Sequence, residues 1–138
     1  MIIKAALIDT GPLFALAAQY DQYNKRAIEE LIELGNSGYN LTVLYSTISE
    51  THSLIQRKTG LDEANKWLEF ATVAYNFINP QKIDYENAIL KLLQFRDQDF
   101  SLVDTVTAVV AERLKFSIWT FDHHFEIMQS PVWRKGQL

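Results

Sequence analysis

The chain of 138 residues contains no cysteine, only five glycines and three prolines, and no long apolar run. The absence of cysteine excludes disulfide bonds, thiolate metal sites and cysteine nucleophiles. No apolar run approaches the roughly 18 residues that a membrane-spanning helix requires. We therefore expect neither a membrane span nor chemistry that depends on sulfur.

Residues 1–5 do not form the basic leader and long apolar stretch of a secretory signal peptide. The chain has no cysteine to pair, which suits a reducing compartment. Together these two features predict a cytoplasmic protein.

The sequence also lacks an excess of positive charge, since its net charge is −4. This is the wrong sign for a protein that holds nucleic acid through a broad basic surface. If the substrate is a polyanion, a bound divalent cation or small basic spots must attract it. The candidate spots are Arg57-Lys58, Arg96 and Arg134-Lys135, although a solvated surface role is the simpler explanation of each one.

Apolar residues make up 48% of the chain and charged residues 22%, which are ordinary values for a soluble globular protein. Strand patterns at 4–8, 41–45, 73–78 and 117–121 alternate with helical patterns, among them 21–34, 46–58 and 102–114. Gly35 is placed to end the first of these helices. The alternation predicts one domain over residues 1–138, with a mainly parallel sheet of about four strands between two layers of helices.

Two of the predicted strands run directly into an aspartate, Asp9 after the first and Asp122 after the last. In a parallel sheet the carboxyl ends of the strands face one crevice, where such folds bind their ligands. Two further acids, Glu50 and Asp104, stand near the starts of helices that would open on the same side. The sequence therefore predicts that four acids converge at one edge of the sheet.

Each acid taken alone has a structural explanation. The two strand-end aspartates suit helix caps or turns, because aspartate accepts hydrogen bonds from free backbone N–H groups. The other two acids fit the capping-box pattern, as Thr47-x-x-Glu50 and Ser101-x-x-Asp104. Capping gives no reason, however, for four acids to gather in one place. The joint pattern favours a metal site.

A cluster of carboxylates requires a cation to offset its charge. Two carboxylates ~5 Å apart repel by ~3 kcal/mol at an effective dielectric constant of ~20. Ligand sets made only of oxygen suit Mg²⁺ or Mn²⁺, which keep several of their waters. Such an ion makes a water easier to deprotonate and offsets the charge on a phosphate, so the implied reaction is phosphodiester hydrolysis.

Other polar residues are weaker candidates. Thr10 and Thr120, each close to a strand-end aspartate, could orient a carboxylate or a water, or serve only as turn and strand residues. The adjacent pair His123-His124 is expected to have surface or capping roles. Arg57 lies two helical turns after the acid of its own helix, so it is the best basic residue to contact a phosphate.

Four short motifs resemble the PIN domain family in their order, their spacing and the total length of chain. They are Ile-Asp-Thr at residues 8–10, Ser-Glu-Thr at 49–51, Ser-Leu-Val-Asp at 101–104 and Thr-Phe-Asp at 120–122. The segments 100–114 and 120–125 are similar in particular to toxin ribonucleases of the VapC type. The resemblance covers essentially the whole chain, and the four-part order is fairly specific.

The resemblance implies a PIN-like three-layer αβα sandwich and an endoribonuclease that depends on Mg²⁺ or Mn²⁺. It assigns metal binding and catalysis to four acids and a supporting role to two hydroxyls: Asp9, Glu50, Asp104 and Asp122, with Thr10 and Thr120. It also implies a homodimer and, for toxin members, a small antitoxin that packs by the helices around residues 46–72 and blocks the site.

Rival interpretations stay open from sequence alone. A haloacid dehalogenase-type phosphatase needs a second aspartate two residues after the first, where this chain has Gly11. A receiver domain needs an acidic pair and a late lysine, and neither is evident. Within the PIN family, the alternatives to a toxin are a housekeeping RNA-processing nuclease and a catalytically silent interaction module.

Overall fold

The computed structural model describes residues 4–136, which form five strands and seven helices. In chain order the elements are β1 (Ala5–Ile8), α1 (Thr10–Ala17), α2 (Asn24–Asn36), β2 (Asn40–Leu44), α3 (Tyr45–Thr59), α4 (Leu61–Ala74), β3 (Asn76–Ile78), α5 (Lys82–Gln94), α6 (Leu102–Leu114), β4 (Ser117–Trp119), α7 (His124–Ile127) and β5 (Val132–Trp133). Within the described range, no helix is both long enough and apolar enough to cross a bilayer.

All strand pairs of the sheet are parallel, in the order β3-β2-β1-β4-β5. The chain runs outward from β1 through β2 to β3 and then crosses to the other side of β1 to form β4 and β5. This reversal creates a switch point between β1 and β4, and the carboxyl ends of the strands at a switch point form the usual ligand crevice. The predicted parallel α/β fold is confirmed.

The sheet has five strands where the sequence predicted about four. The additional strand, β5, has only two residues, Val132 and Trp133, which is too short to show a periodic pattern. Its place at the edge beside β4 is fixed by burial of the Trp133 side chain, which only the tertiary structure reveals.

The central strand β1 buries side chains on both faces of the sheet. Ala6 and Ile8 pack with helices α1 to α4, whereas Leu7 packs with α5, α6 and α7. Successive side chains of a strand point to opposite faces, so a short apolar run supplies two cores at once. The result is the predicted three-layer arrangement.

The predicted start of the third strand and the predicted end of the second strand differ from the structure. Val73, the first residue of the predicted third strand, lies in α4 and is 88% exposed. The apolar run gave no sign that helix α4 continues to Ala74 and turns Val73 outward. Tyr45, assigned to the second strand, instead begins α3.

The end of α2 was also predicted at the wrong glycine. Gly35 lies inside the helix, which continues to Asn36, and the residue with positive φ is Gly38. The Tyr39 N–H donates to the Leu34 carbonyl and the Gly38 N–H to the Gly35 carbonyl, as in a Schellman motif. Only a glycine adopts that left-handed conformation without strain.

Helices α5 and α6 are joined by an ion pair with one fully buried partner. Arg113 donates to both carboxylate oxygens of Asp84, at 2.8 and 2.7 Å, and the Asp84 side chain is 1% exposed. Asp84 also accepts from the Gln81 N–H at the start of α5. The hydrogen bond from Arg113 lowers the pKa of Asp84, so the carboxylate is ionised at neutral pH.

Replacing Asp84 by Asn should destabilise the fold by roughly 2 kcal/mol or more, because it leaves a guanidinium without its buried partner. The measurement is urea unfolding at pH 7. The matched control is Asp62→Asn, which removes a carboxylate from an exposed pair with Lys66. Equal losses of stability in the two variants would contradict this account.

Candidate functional site

A cavity of about 330 Å³ opens at the carboxyl ends of β1 and β4. All four acids singled out from the sequence line it. The complete set of lining residues is Asp9, Thr10, Gly11, Glu50, Asp104, Phe121, Asp122 and His123. The fold therefore brings together acids that lie in four separate segments of the chain.

The four acids reach the cavity from different elements. Asp9 follows β1 directly, Glu50 lies in the second turn of α3 and Asp104 in the first turn of α6. Asp122 was expected at the end of a strand over 117–121, but β4 ends at Trp119. Asp122 therefore lies in the turn that follows β4, where backbone and side-chain bonds rather than the sheet fix its position.

Asp9 is the most perturbed titratable group of the cavity. It is 6% exposed, and its side chain makes no helix-capping bond, which removes the helix-cap explanation for this acid. Burial raises the pKa of Asp9 to about 7, and the charges of Asp104 and Glu50 add to the effect. Hydrogen bonds from the Thr120 hydroxyl and the Thr10 backbone act in the opposite direction.

Both threonines selected from the sequence bond to acids of the site. The Thr120 hydroxyl donates to Asp9 Oδ2 at 2.8 Å and accepts from the Asp122 N–H at 2.9 Å. The Thr10 hydroxyl donates to Glu50 Oε1 at 2.6 Å. One hydroxyl thus links the acids that follow β1 and β4, and the other orients the acid of α3.

One of the two expected capping boxes forms. Ser101 and Asp104 exchange bonds, each of 3.0 Å, between the side chain of one and the N–H of the other. The Thr47 hydroxyl is instead buried and has no hydrogen-bond partner within residues 4–136. Asp104 therefore both caps α6 and lines the cavity, so its capping role does not exclude a second role.

His124 is a site residue that the sequence analysis missed. Its Nδ1 lies 3.3 Å from Asp104 Oδ2 and 3.2 Å from Asp122 Oδ2, and its backbone N–H donates to Asp122. His123, which also lines the cavity, has the expected surface position, since its side chain is 85% exposed and its Nδ1 lies 3.6 Å from Glu126 Oε2. The doubled histidine was visible in the sequence, but which ring turns inward is decided by the start of α7.

Arg57, the basic residue expected to contact phosphate, is exposed on α3 and does not line the cavity. None of the lining residues is a lysine or an arginine. The residues that line the cavity are therefore acidic on balance. A polyanion would be repelled from them unless a cation were bound.

The chemistry of the donors fits a hard divalent cation, because the ligands offered are carboxylate oxygens. Asp9 is buried beside Asp104 and Glu50, and its raised pKa shows that its negative charge is unfavourable there. A bound cation would offset that charge. Within the described residues, no three His, Asp or Glu side chains already form a ready-made ligand set. Mg²⁺ requires only one or two direct carboxylates and keeps its waters toward the others.

No protein-family model and no curated protein sequence matches this chain. Several solved structures, however, are similar to it. VapC20 of Mycobacterium tuberculosis, described as a toxin that cleaves the sarcin-ricin loop, superposes with a TM-score of 0.81 at 18% identity over 94% of this chain and 99% of that one.

Two further similar structures are complexes. VapBC2 of Rickettsia felis, bound to a DNA fragment from its promoter, gives a TM-score of 0.73 at 10% identity and covers 94% of this chain and 97% of that one. A toxin-antitoxin complex from Klebsiella pneumoniae gives 0.64 at 15% identity and covers 97% and 100%. At these identities the comparisons establish the fold, and it is the fold of VapC toxins that the resemblance predicted.

The pKa of Asp9 predicts how stability depends on pH without metal. A folded-state pKa of about 7 means that stabilisation from protonated Asp9 is complete below pH ~4 and is lost as the pH rises to 7. A pKa raised by about three corresponds to roughly 4 kcal/mol at most. Asp9→Asn should therefore be more stable than the wild type at pH 8 in EDTA, and the advantage should vanish near pH 4.

Urea unfolding across this pH range measures the difference. Asp97→Asn is the matched control, because Asp97 is an exposed carboxylate away from the cavity. A stability difference between Asp9→Asn and wild type that stays constant from pH 4 to pH 8 would show that burial does not raise the pKa of this group.

Proposed function

We propose that the protein is a divalent-metal-dependent endoribonuclease that hydrolyses RNA phosphodiester bonds and acts as the toxin of a toxin-antitoxin pair. The observation that carries the proposal is the convergence of four acids on one cavity at the switch point of the sheet. The fold shared with VapC20, which is described as cleaving the sarcin-ricin loop, supports RNA as the substrate.

In this proposal the four acids hold Mg²⁺ or Mn²⁺ and are catalytic: Asp9, Glu50, Asp104 and Asp122. A bound divalent ion makes a water easier to deprotonate and offsets charge that develops on the phosphate. The chain's own groups fix the acids, through the Thr120 hydroxyl on Asp9 and the Thr10 hydroxyl on Glu50. Acids that are already oriented need not reorganise when the phosphate enters.

The electrostatics of the site are consistent with a substrate that arrives only when metal is present. The cavity is lined by four acids and the chain carries a net charge of −4. A polyanion next to such a surface is repelled. A divalent ion offsets part of this negative charge and gives the phosphate a cation to contact, so binding of the substrate and catalysis share one requirement.

We expect the purified protein to cleave RNA with Mn²⁺ or Mg²⁺ and not in EDTA. Asp9→Asn, Glu50→Gln, Asp104→Asn and Asp122→Asn should each lose most of the activity, and their effects should not add because they serve one site. The measurement is the rate of cleavage of a mixed RNA pool. The control is Asp62→Asn, which alters an exposed acid far from the cavity.

A thermal shift with millimolar metal separates metal binding from catalysis, since an ion that binds only the folded state stabilises it by mass action. Wild type should gain melting temperature, and Asp104→Asn should gain less. Cleavage that survives EDTA, or that is undiminished in purified Asp9→Asn, would overturn the nuclease proposal. Absence of both metal binding and RNA cleavage would favour the silent interaction module.

The toxin part of the proposal requires a surface for an antitoxin. A second cavity of about 660 Å³ lies between α1, α3 and α4, and most of its lining is apolar. It includes Phe14, Trp67 and Phe70, and the Phe70 side chain is 59% exposed. This place agrees with the expected groove around residues 46–72, and a similar fold is found in a toxin-antitoxin complex.

Phe70→Glu should weaken binding of the proposed antitoxin by about tenfold or more, because it places a charge in an apolar cavity. Val73→Glu is the matched control, since Val73 is on the same helix and more exposed but does not line the cavity. Co-purification and calorimetry of the pair provide the measurement. Equal affinity of the two variants would place the antitoxin elsewhere, while RNA cleavage should be retained in both.

A further inference from the structure

The ring of Phe121 connects the acid cavity to a group of partly exposed side chains. Phe121 lines the cavity next to Asp122 in sequence. The guanidinium carbon of Arg26 lies 4.4 Å from the centroid of this ring, and the Tyr23 ring lies 5.6 Å from it at 42°. Tyr23 is 44% exposed and the Arg26 side chain 46%.

This group, Tyr23, Arg26 and Phe121, is held in place by a buried carboxylate. Arg26 Nε donates to Glu30 Oε2 at 2.7 Å, and Glu30 Oε1 accepts from the indole N–H of Trp119 at 2.9 Å. Trp119 is the last residue of β4. The guanidinium is therefore fixed relative to the strand end that also positions the acids, and its terminal nitrogens take no part in the bond to Glu30.

The chemistry of the group matches an unpaired nucleotide. Aromatic rings and arginine planes are the surfaces on which proteins stack single-stranded bases, and the arginine adds attraction to the phosphates. Packing alone explains Phe121 and Trp119, but it does not require a tyrosine and an arginine that keep nearly half of their surface in water. The arginine also supplies positive charge beside a cavity whose own walls offer none.

We propose that Tyr23, Arg26 and Phe121 form a stacking subsite for one unpaired base of an RNA strand whose neighbouring phosphate lies in the acid cavity. The inference rests on the proposed function and adds the residues that hold the nucleotide next to the scissile bond. Stacking recognises the face of a base rather than its edge, so the subsite contributes affinity and a demand for an unpaired base, not sequence identity.

The test is binding of a fluorescent RNA oligonucleotide, measured by anisotropy with millimolar Ca²⁺ in place of Mn²⁺ or Mg²⁺ and at one fixed salt concentration, with a gel to show that the oligonucleotide stays intact. Tyr23→Ala should weaken binding of the unpaired oligonucleotide by about tenfold, the loss typical of one stacked base. Tyr23→Phe keeps the ring and should bind within about twofold of wild type. The same oligonucleotide annealed to its complement should bind weakly and without regard to the variant.

Arginine variants separate stacking from charge. Arg26→Lys keeps the charge but not the planar group, and it should lose affinity severalfold, whereas Arg96→Gln removes a charge elsewhere and should lose less. Since Arg26 pairs with the buried Glu30, each variant is first checked for an unchanged melting curve. If Arg26→Lys does not fold, the Tyr23 series alone decides the question.

A scan of abasic positions along the oligonucleotide gives the most direct readout. At one position, loss of the base should weaken binding to wild type by about tenfold and leave binding to Tyr23→Ala unchanged, because both changes remove the same contact. The subsite would be overturned if the abasic change weakened binding equally in wild type and Tyr23→Ala at every position. It would also be overturned if Tyr23→Ala bound the intact oligonucleotide with wild-type affinity. Loss of binding only to a partner protein would assign the surface to protein recognition and equally overturn it.

Failure of this inference is distinguishable from failure of the proposed function. Metal-dependent cleavage with unaltered KM in Tyr23→Ala would leave the nuclease standing without the subsite. RNA binding that depends on Tyr23, in a protein that cleaves no RNA, would leave the subsite standing without the nuclease. If both hold, Tyr23→Ala should raise KM for the unpaired RNA by about tenfold and change kcat little.

Discussion

The negative charge of Asp9, buried at the end of the central strand, is the constraint on which the site depends. Burial and two neighbouring acids raise the pKa of Asp9 to about 7, so the ionised form is costly unless something offsets it. A side chain that served only as a helix cap would make a capping bond to the first turn of α1, and Asp9 makes no such capping bond. The cost of ionising Asp9 is the physical reason for proposing a cation at this site.

A short network of hydrogen bonds fixes the positions of Asp104 and Asp122 around Asp9. The Thr120 hydroxyl joins Asp9 to the Asp122 backbone, and Ser101 fixes Asp104 at the start of α6. His124 lies within 3.3 Å of carboxylate oxygens of both Asp104 and Asp122. These acids are thus oriented by partners within the protein.

Regular patterns made most of the fold predictable, and the errors occurred where a pattern was too short or locally ambiguous. Two-residue β5 carries no period, and Val73 has the branched side chain of a strand residue but faces solvent in α4. Gly35 and Gly38 are both able to adopt positive φ, so residue type does not show which of them follows the helix. Only the hydrogen bonds of the finished turn decide which of them adopts positive φ.

The sequence by itself determined the parallel α/β class, the two strand-end aspartates and the order of the acids, because strand periodicity and strand-end placement are local properties. The tertiary structure decided which groups meet: Thr10 with Glu50, His124 with two acids, and Arg26 with Phe121. The residues of these contacts lie on separate segments of the chain, except for His124 and Asp122, whose contact depends on the conformation of a short turn. Such contacts exist only once the strands and helices have assembled around β1, so no local pattern encodes them.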